Sequence, residues 1–188
     1  MQAHQRVARF AHPVHNVGLF GVESWMIVAD FGAGSGHYAL HCAKTLADTG
    51  RVYAIDVQSD LLRRIQNEAE RQGLKNIETV LGDVEQPHGT KLADDSVDRV
   101  IMSNVLFQLE HPRSALLEAR RIVKPSGKLV IIDWTDSFRG MGPTKEHVVK
   151  KEKAIEYAEG NHFKLLSEFT AGAHHYGLMF EPIPRPLS

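Results

Sequence analysis

Ile27-Val28-Ala29-Asp30-Phe31-Gly32-Ala33-Gly34-Ser35-Gly36-His37-Tyr38 runs an apolar strand straight into a glycine-dense turn and on into a helix. That join is where an open α/β sheet of the Rossmann kind holds a nucleotide. The glycines at 32, 34 and 36 bring the main chain close to a ligand. A dinucleotide fingerprint, G-x-G-x-x-G, needs its last glycine at position 37, which is His37. NAD and FAD are therefore disfavoured. No Gly-Lys-Ser/Thr ending follows the turn, so a P-loop is excluded. Asp30 stands two residues before the first glycine, and a carboxylate there suits a ligand carrying positive charge better than one carrying phosphate.

Strand and helix signals alternate on either side of this turn. Helical spacing from Tyr38 to Ala47 closes at Gly50, and Arg51 to Asp56 reads as a buried strand. A helix opening at Ser59 or Asp60 carries Leu61, Leu62, Ile65 and Ala69 as its apolar stripe and stops at Gly73; Asn76 to Leu81 is a third strand. Asp98 to Ser103 is a fourth strand. His111-Pro112-Arg113 starts a helix, and Lys124-Pro125-Ser126-Gly127 makes a sharp turn into the most apolar strand, Lys128 to Asp133. A loop over 135–143 precedes a helix from about His147 to Glu159. Two last strands, near Phe163 to Phe169 and His175 to Phe180, are joined by a short turn at Thr170 to Ala173, as in an antiparallel hairpin. This order predicts parallel crossovers with helices on both sheet faces.

The chain has 188 residues, 22 basic and 23 acidic, for a net charge of −1. That length suits one domain, and the balance leaves no overall electrostatic footprint for nucleic acid or an anionic membrane. Three parts are expected: an arm or lid at 1–20, the domain at 21–181 and a tail at 182–188. No signal-peptide core or membrane-spanning run is legible, so a cytoplasmic location is expected. The single cysteine, Cys42, reads as a buried apolar residue. His4, His12 and His15 have no ordered ligand spacing, and no metal is expected.

Ligands in such sheets lie outside the carboxyl ends of the strands. Asp30, Asp56 and Asp83 end or follow the first three strands, and Asp56 comes about twenty residues after the turn, the spacing at which an acid meets ribose hydroxyls. The motifs Asp30-Phe31-Gly32-Ala33-Gly34-Ser35-Gly36, Ala54-Ile55-Asp56-Val57, Leu81-Gly82-Asp83-Val84 and Lys124-Pro125-Ser126-Gly127-Lys128-Leu129 resemble those of class I S-adenosylmethionine-dependent methyltransferases. The Pro-Ser-Gly turn and final hairpin are most similar to the small-molecule "type 11" branch related to quinone-biosynthesis C-methyltransferases. The resemblance implies a Rossmann-like α/β/α sandwich with a seven-stranded, mostly parallel sheet in the order 3-2-1-4-5-7-6. It also implies S-adenosylmethionine as cofactor. Gly32, Gly34 and Gly36 would lie under its amino-acid part, with Asp30 at its ammonium and Asp56 (beside Val57) at the ribose. Asp83 and Val84 would meet adenine, and Ser103 and Asn104 the methionine moiety.

Methyl transfer is an in-line displacement in which orientation and desolvation carry most of the work. A base is optional, and His111, Asp133, His174 and His175 are the candidates. Ser103-Asn104-Val105-Leu106 stands where amino-methylating enzymes carry Asn/Asp-Pro-Pro-Tyr/Phe, which counts against adenine-N6 or glutamine methylation. One cysteine counts against arsenite and cysteine-based RNA methylation. The expected acceptor is a small molecule. Two other readings are an RNA or protein methyltransferase working with a partner, marked by a basic surface beside the cofactor mouth from Arg113, Arg120, Arg121 and Lys124 or from Lys145 to Lys153, and a non-catalytic cofactor-binding protein.

Overall fold

A computed structural model describes residues 13–138, 140 and 142–184. Its sheet has seven strands in the order β3-β2-β1-β4-β5-β7-β6. In chain order the elements are α1 (Pro13–Leu19), β1 (Ile27–Phe31), α2 (His37–Leu46), β2 (Arg51–Asp56), α3 (Ser59–Arg71), β3 (Ile77–Leu81), β4 (Val97–Ser103), α4 (Pro112–Ile122), β5 (Val123–Trp134), α5 (Lys151–Glu159), β6 (Phe163–Gly172) and β7 (His175–Pro182). Strands β1 to β5 pair in parallel, while β7 runs antiparallel to both β5 and β6. The order reverses between β1 and β4, and this switch point opens the crevice at the strands' carboxyl ends.

The central strands are apolar on both faces because helices cover both, which is why they lack strand-type alternation in sequence. Val28, Ile101, Val130 and Ile132 pack with α1, α2 and α3 residues such as Val17, Leu46 and Ile65. Ala29, Phe31, Met102, Leu129 and Ile131 pack on the other face with Leu116, Ala119, Ala154 and Ala158 of α4 and α5. Cys42 is fully buried in the first layer.

Four local expectations change. Lys124 to Gly127 is not a turn but extended chain inside β5; pairing with β4 jumps from Val97↔Val123 to Arg99↔Lys128, so the Pro-Ser-Gly run is absorbed as a bulge. The helix expected from His147 starts at Lys151, because Thr144 to His147 forms a separate turn closed by the His147 N–H donating to the Thr144 carbonyl. Thr170 to Gly172 belongs to β6, which leaves Ala173 and His174 as the hairpin's two-residue turn. Pro182 likewise belongs to β7 and not to the tail.

The arm contains α1, which sequence periodicity did not mark. Its Asn16 is fully buried and donates from Nδ2 to Tyr38 Oη (2.8 Å) and to the Ala171 carbonyl (3.0 Å). One amide thus ties the arm to α2 and to the hairpin. His4 and His12 lie outside the described residues, and His15 is exposed.

Candidate cofactor and acceptor site

At the end of β1 the chain turns over Gly32, Gly34 and Gly36, all with positive φ. Gly36 is the residue before α2, at φ +77°; a Cβ there would lie 2.6 Å from Ile65 Cγ1. Gly34 differs, since a Cβ on it would meet only the Gly32 carbonyl, at 3.8 Å. Its upper side is open, as a backbone floor for a ligand must be.

The strand-end acids hold this turn in place. Asp30, 3% exposed, accepts from the Ala39 N–H at 3.1 Å and so caps α2 in place of a conventional N-cap side chain. Burial pushes its carboxyl up to about 7, with Asp56 adding to the rise against the Ala39 hydrogen bond. Asp56 accepts from the Gly34 N–H with one oxygen and from the Gln58 N–H with the other, both at 2.9 Å. It braces the glycine turn and starts α3, and each oxygen keeps lone-pair capacity for a ligand hydroxyl. Asp83 accepts from the Glu85 N–H at 2.9 Å.

Two cavities meet over the glycine turn, sharing Gly32, Gly34 and Gln108. The first, about 290 Å³, is bounded by Asp56, Val57, Asp83, Val84, Val105 and Leu109. Val57 presents an apolar side chain 63% exposed at its rim, and Val84 is buried in its wall. The second, about 530 Å³, is bounded by Asp30, Tyr38, Ser103, Asn104, Trp134 and His175, with Pro13 of α1 over it. Asn104 has φ +58° and its side-chain oxygen is buried without a hydrogen-bond partner among the described residues.

The residues fit a long ligand with a planar apolar end, a diol and a cationic end. The slot between Val57, Val84 and Leu109 could hold a flat ring, Asp56 has free acceptor capacity for hydroxyls, and Asp30 with the orphaned Asn104 oxygen could accept from a cation. All ten residues expected at the cofactor lie together: nine line one or both cavities, and Gly36 sets the turn beneath them.

The base candidates separate. His111 is exposed at the start of α4, and its backbone N–H donates to the Glu85 carboxylate. Successive strand residues face opposite sides, so Trp134 lines the second cavity while Asp133 turns to the α5 face beside Tyr176. Burial pushes the Asp133 carboxyl up to about 7, against hydrogen bonds from the Trp134, Leu106 and Phe107 backbone. It is placed to hold the chain after β4. His174 pairs with Asp136 at 2.8 Å and stacks on Phe138, and His175 lines the cavity.

Sequence reasoning missed Tyr38, Trp134 and Gln108 as cavity residues. Trp134 could have been found from its place at the end of the most apolar strand. Most of the basic cluster is engaged in ion pairs, Arg113 with Glu156 among them. Arg121, Lys124, Lys151 and Lys153 are held by Glu118 and Asp94, Asp98, Glu168 and Glu156, and Arg120 is buried, donating to the Ile183 carbonyl.

Residues 29–131 match the family model described as a methyltransferase domain. The chain is 28% identical over 127 residues to a ubiquinone/menaquinone biosynthesis C-methyltransferase of Bordetella avium, covering 68% of this chain and 48% of that protein. It is 33% identical over 111 residues to an arsenite methyltransferase of Aquipseudomonas alcaligenes, covering 56% and 32%. The chain thus spans about half or less of these curated relatives. Among solved structures, a SAM-dependent methyltransferase from Aquifex aeolicus superposes with a TM-score of 0.85 at 29% identity, over 95% of this chain and 93% of that one. No helix among the described residues is long and apolar enough to cross a membrane.

Proposed function

The chain belongs to the methyltransferase-domain family, and from that premise we propose that it moves a methyl group from S-adenosylmethionine to a small-molecule acceptor. The observation that carries this reading is the pair of joined cavities over the open Gly34 backbone, with Asp56 on one side and Asp30 on the other. S-adenosylmethionine, when bound, supplies a methyl group activated by a sulfonium.

This chain's own residues do the rest. Gly32 and Gly34 let the amino-acid part lie against the main chain, while Gly36 gives the turn its shape. Asp30 and the Asn104 oxygen accept from the ammonium, and Ser103 lines the methionine side. Asp56 accepts from the ribose hydroxyls, and Val57, Asp83 and Val84 hold adenine. Trp134, Tyr38 and Pro13 enclose the second cavity, which excludes water and holds the acceptor for in-line approach.

A small acceptor is favoured over nucleic acid by the ion pairs that occupy basic residues of α4, β5 and α5. Arsenite as acceptor fits poorly with a chain whose one cysteine, Cys42, is buried on the inner face of α2. The test is to incubate the protein with methyl-labelled S-adenosylmethionine and fractionated cell extract. Label in the small-molecule fraction supports the proposal; label confined to RNA or protein redirects it. Failure of S-adenosylmethionine and its demethylated product to bind in calorimetry overturns it.

A further inference from the structure

We propose that His175 is the residue that grips the methyl acceptor, through a hydrogen bond that its imidazole accepts from an O–H or N–H of that molecule. This rests on the methyl-transfer reading above.

His175 opens β7 opposite Trp134 of β5. Its ring lies on the indole with centroids 4.3 Å apart and planes at 43°, which fixes the imidazole against a rigid wall. The side chain is 3% exposed, yet neither Nδ1 nor Nε2 has a hydrogen-bond partner among the described residues. Buried polar atoms are nearly always paired, so two orphaned nitrogens in one ring require an account. The neighbouring histidine supplies the contrast, because His174 spends its Nδ1 on Asp136.

His175 borders space on two sides. It lines the 530 Å³ cavity with Asp30, Ser103 and Asn104, and also a 640 Å³ cavity on the hairpin side with Lys150, Glu168 and Tyr176. His175 is the residue that these two linings share. A molecule in the 530 Å³ cavity therefore lies against His175, outside the lining of the adenine slot. Burial, with His174 adding to it against Asp136, pushes the imidazole down to about 4. The ring is then neutral near pH 7, with one nitrogen donating and the other accepting. A neutral ring keeps a lone pair for an acceptor O–H or N–H and adds no positive charge beside a cationic donor.

The experiment has two arms. In the first, protein loaded with S-adenosylhomocysteine carries ¹⁵N-histidine, and the His175 resonances are identified by their loss in His175→Phe. Phenol and anisole, which differ in the O–H, are titrated in. A saturable His175 shift with phenol and not with anisole is expected; an equal response to both, or to neither, overturns the proposal. In the second arm, His175→Phe keeps the stack on Trp134 and removes both nitrogens. Its methyl transfer into the small-molecule fraction should fall about tenfold or more, His175→Gln should recover part of it, and cofactor affinity should stay unchanged. Undiminished transfer by His175→Phe overturns the role of His175 alone. Loss of cofactor binding by the unaltered protein would instead sink the methyltransferase reading.

Discussion

Replacing Asp30 by asparagine keeps the size of the side chain and an oxygen for the Ala39 N–H but removes the charge. In the free protein, burial holds this carboxyl at about 7 against an ordinary 3.8. The roughly three-unit rise is worth about 4 kcal/mol between the two protonation states. Because the folded value is the higher one, the stability it contributes is present below about 3.8 and is lost as pH rises through about 7. Asp30→Asn should therefore be the more stable protein at pH 8, by at most about 4 kcal/mol, and its urea midpoint should show less pH dependence. Cofactor binding should run the other way. An ammonium at Asp30 selects the carboxylate, whose population rises from about 9% at pH 6 to about 91% at pH 8, so affinity should rise about tenfold over that range. S-adenosylhomocysteine, which keeps the ammonium and lacks the sulfonium, isolates this contribution. Calorimetry at pH 7 in buffers of different ionisation heat should detect release of about half a proton on binding. Asp30→Asn should bind more weakly at pH 8 and release none of it. Affinity independent of pH, or the same pH dependence in both proteins, would refute the placing of the ammonium at Asp30.

Three further outcomes follow from the same geometry. Asp56→Ala removes the acceptor of the Gly34 and Gln58 N–H groups as well as the expected ribose contact, so S-adenosylhomocysteine binding should weaken by about 1–3 kcal/mol; unchanged calorimetric affinity would rule the ribose role out. Gly36→Ala forces an alanine to φ +77° with its methyl group against Ile65, and should cost about 1–3 kcal/mol in urea denaturation, a loss that an unaltered midpoint would contradict. Glu118 is 3% exposed. Burial alone would raise its carboxyl, but hydrogen bonds from Arg121 and Thr90 outweigh that and hold it near 2. Its contribution is present above about 4.5 and lost as pH falls towards 2, so Glu118→Gln should flatten the acid side of the stability profile, measured from pH 6 to pH 3.

The clustering of the expected cofactor residues around one crevice was legible because those residues act through short-range pattern. Asp30 to Gly36, Asp56 with Val57 and Asp83 with Val84 each sit where one strand meets one turn, and strand-end position is a property that spacing carries. The acceptor half is built otherwise. Trp134 and His175 come from antiparallel partners, Tyr38 from α2 and Pro13 from the arm, and no local spacing relates them. The Pro-Ser-Gly run shows the same limit, since its turn-like composition was overridden by pairing of β5 along β4.

Sequence by itself determined the alternation of strands and helices, the glycine turn and the acids at the strand ends, because backbone sterics and amphipathic periodicity act within a few residues. It also supplied, through the family it resembles, the strand order. Tertiary structure decided what each polar side chain faces. The difference between Asp133, turned to the α5 side, and His175, orphaned in the cavity wall, depends on strand register and on which groups approach from distant elements. Hydrogen-bond satisfaction belongs to the packed chain, and it is what singles out His175.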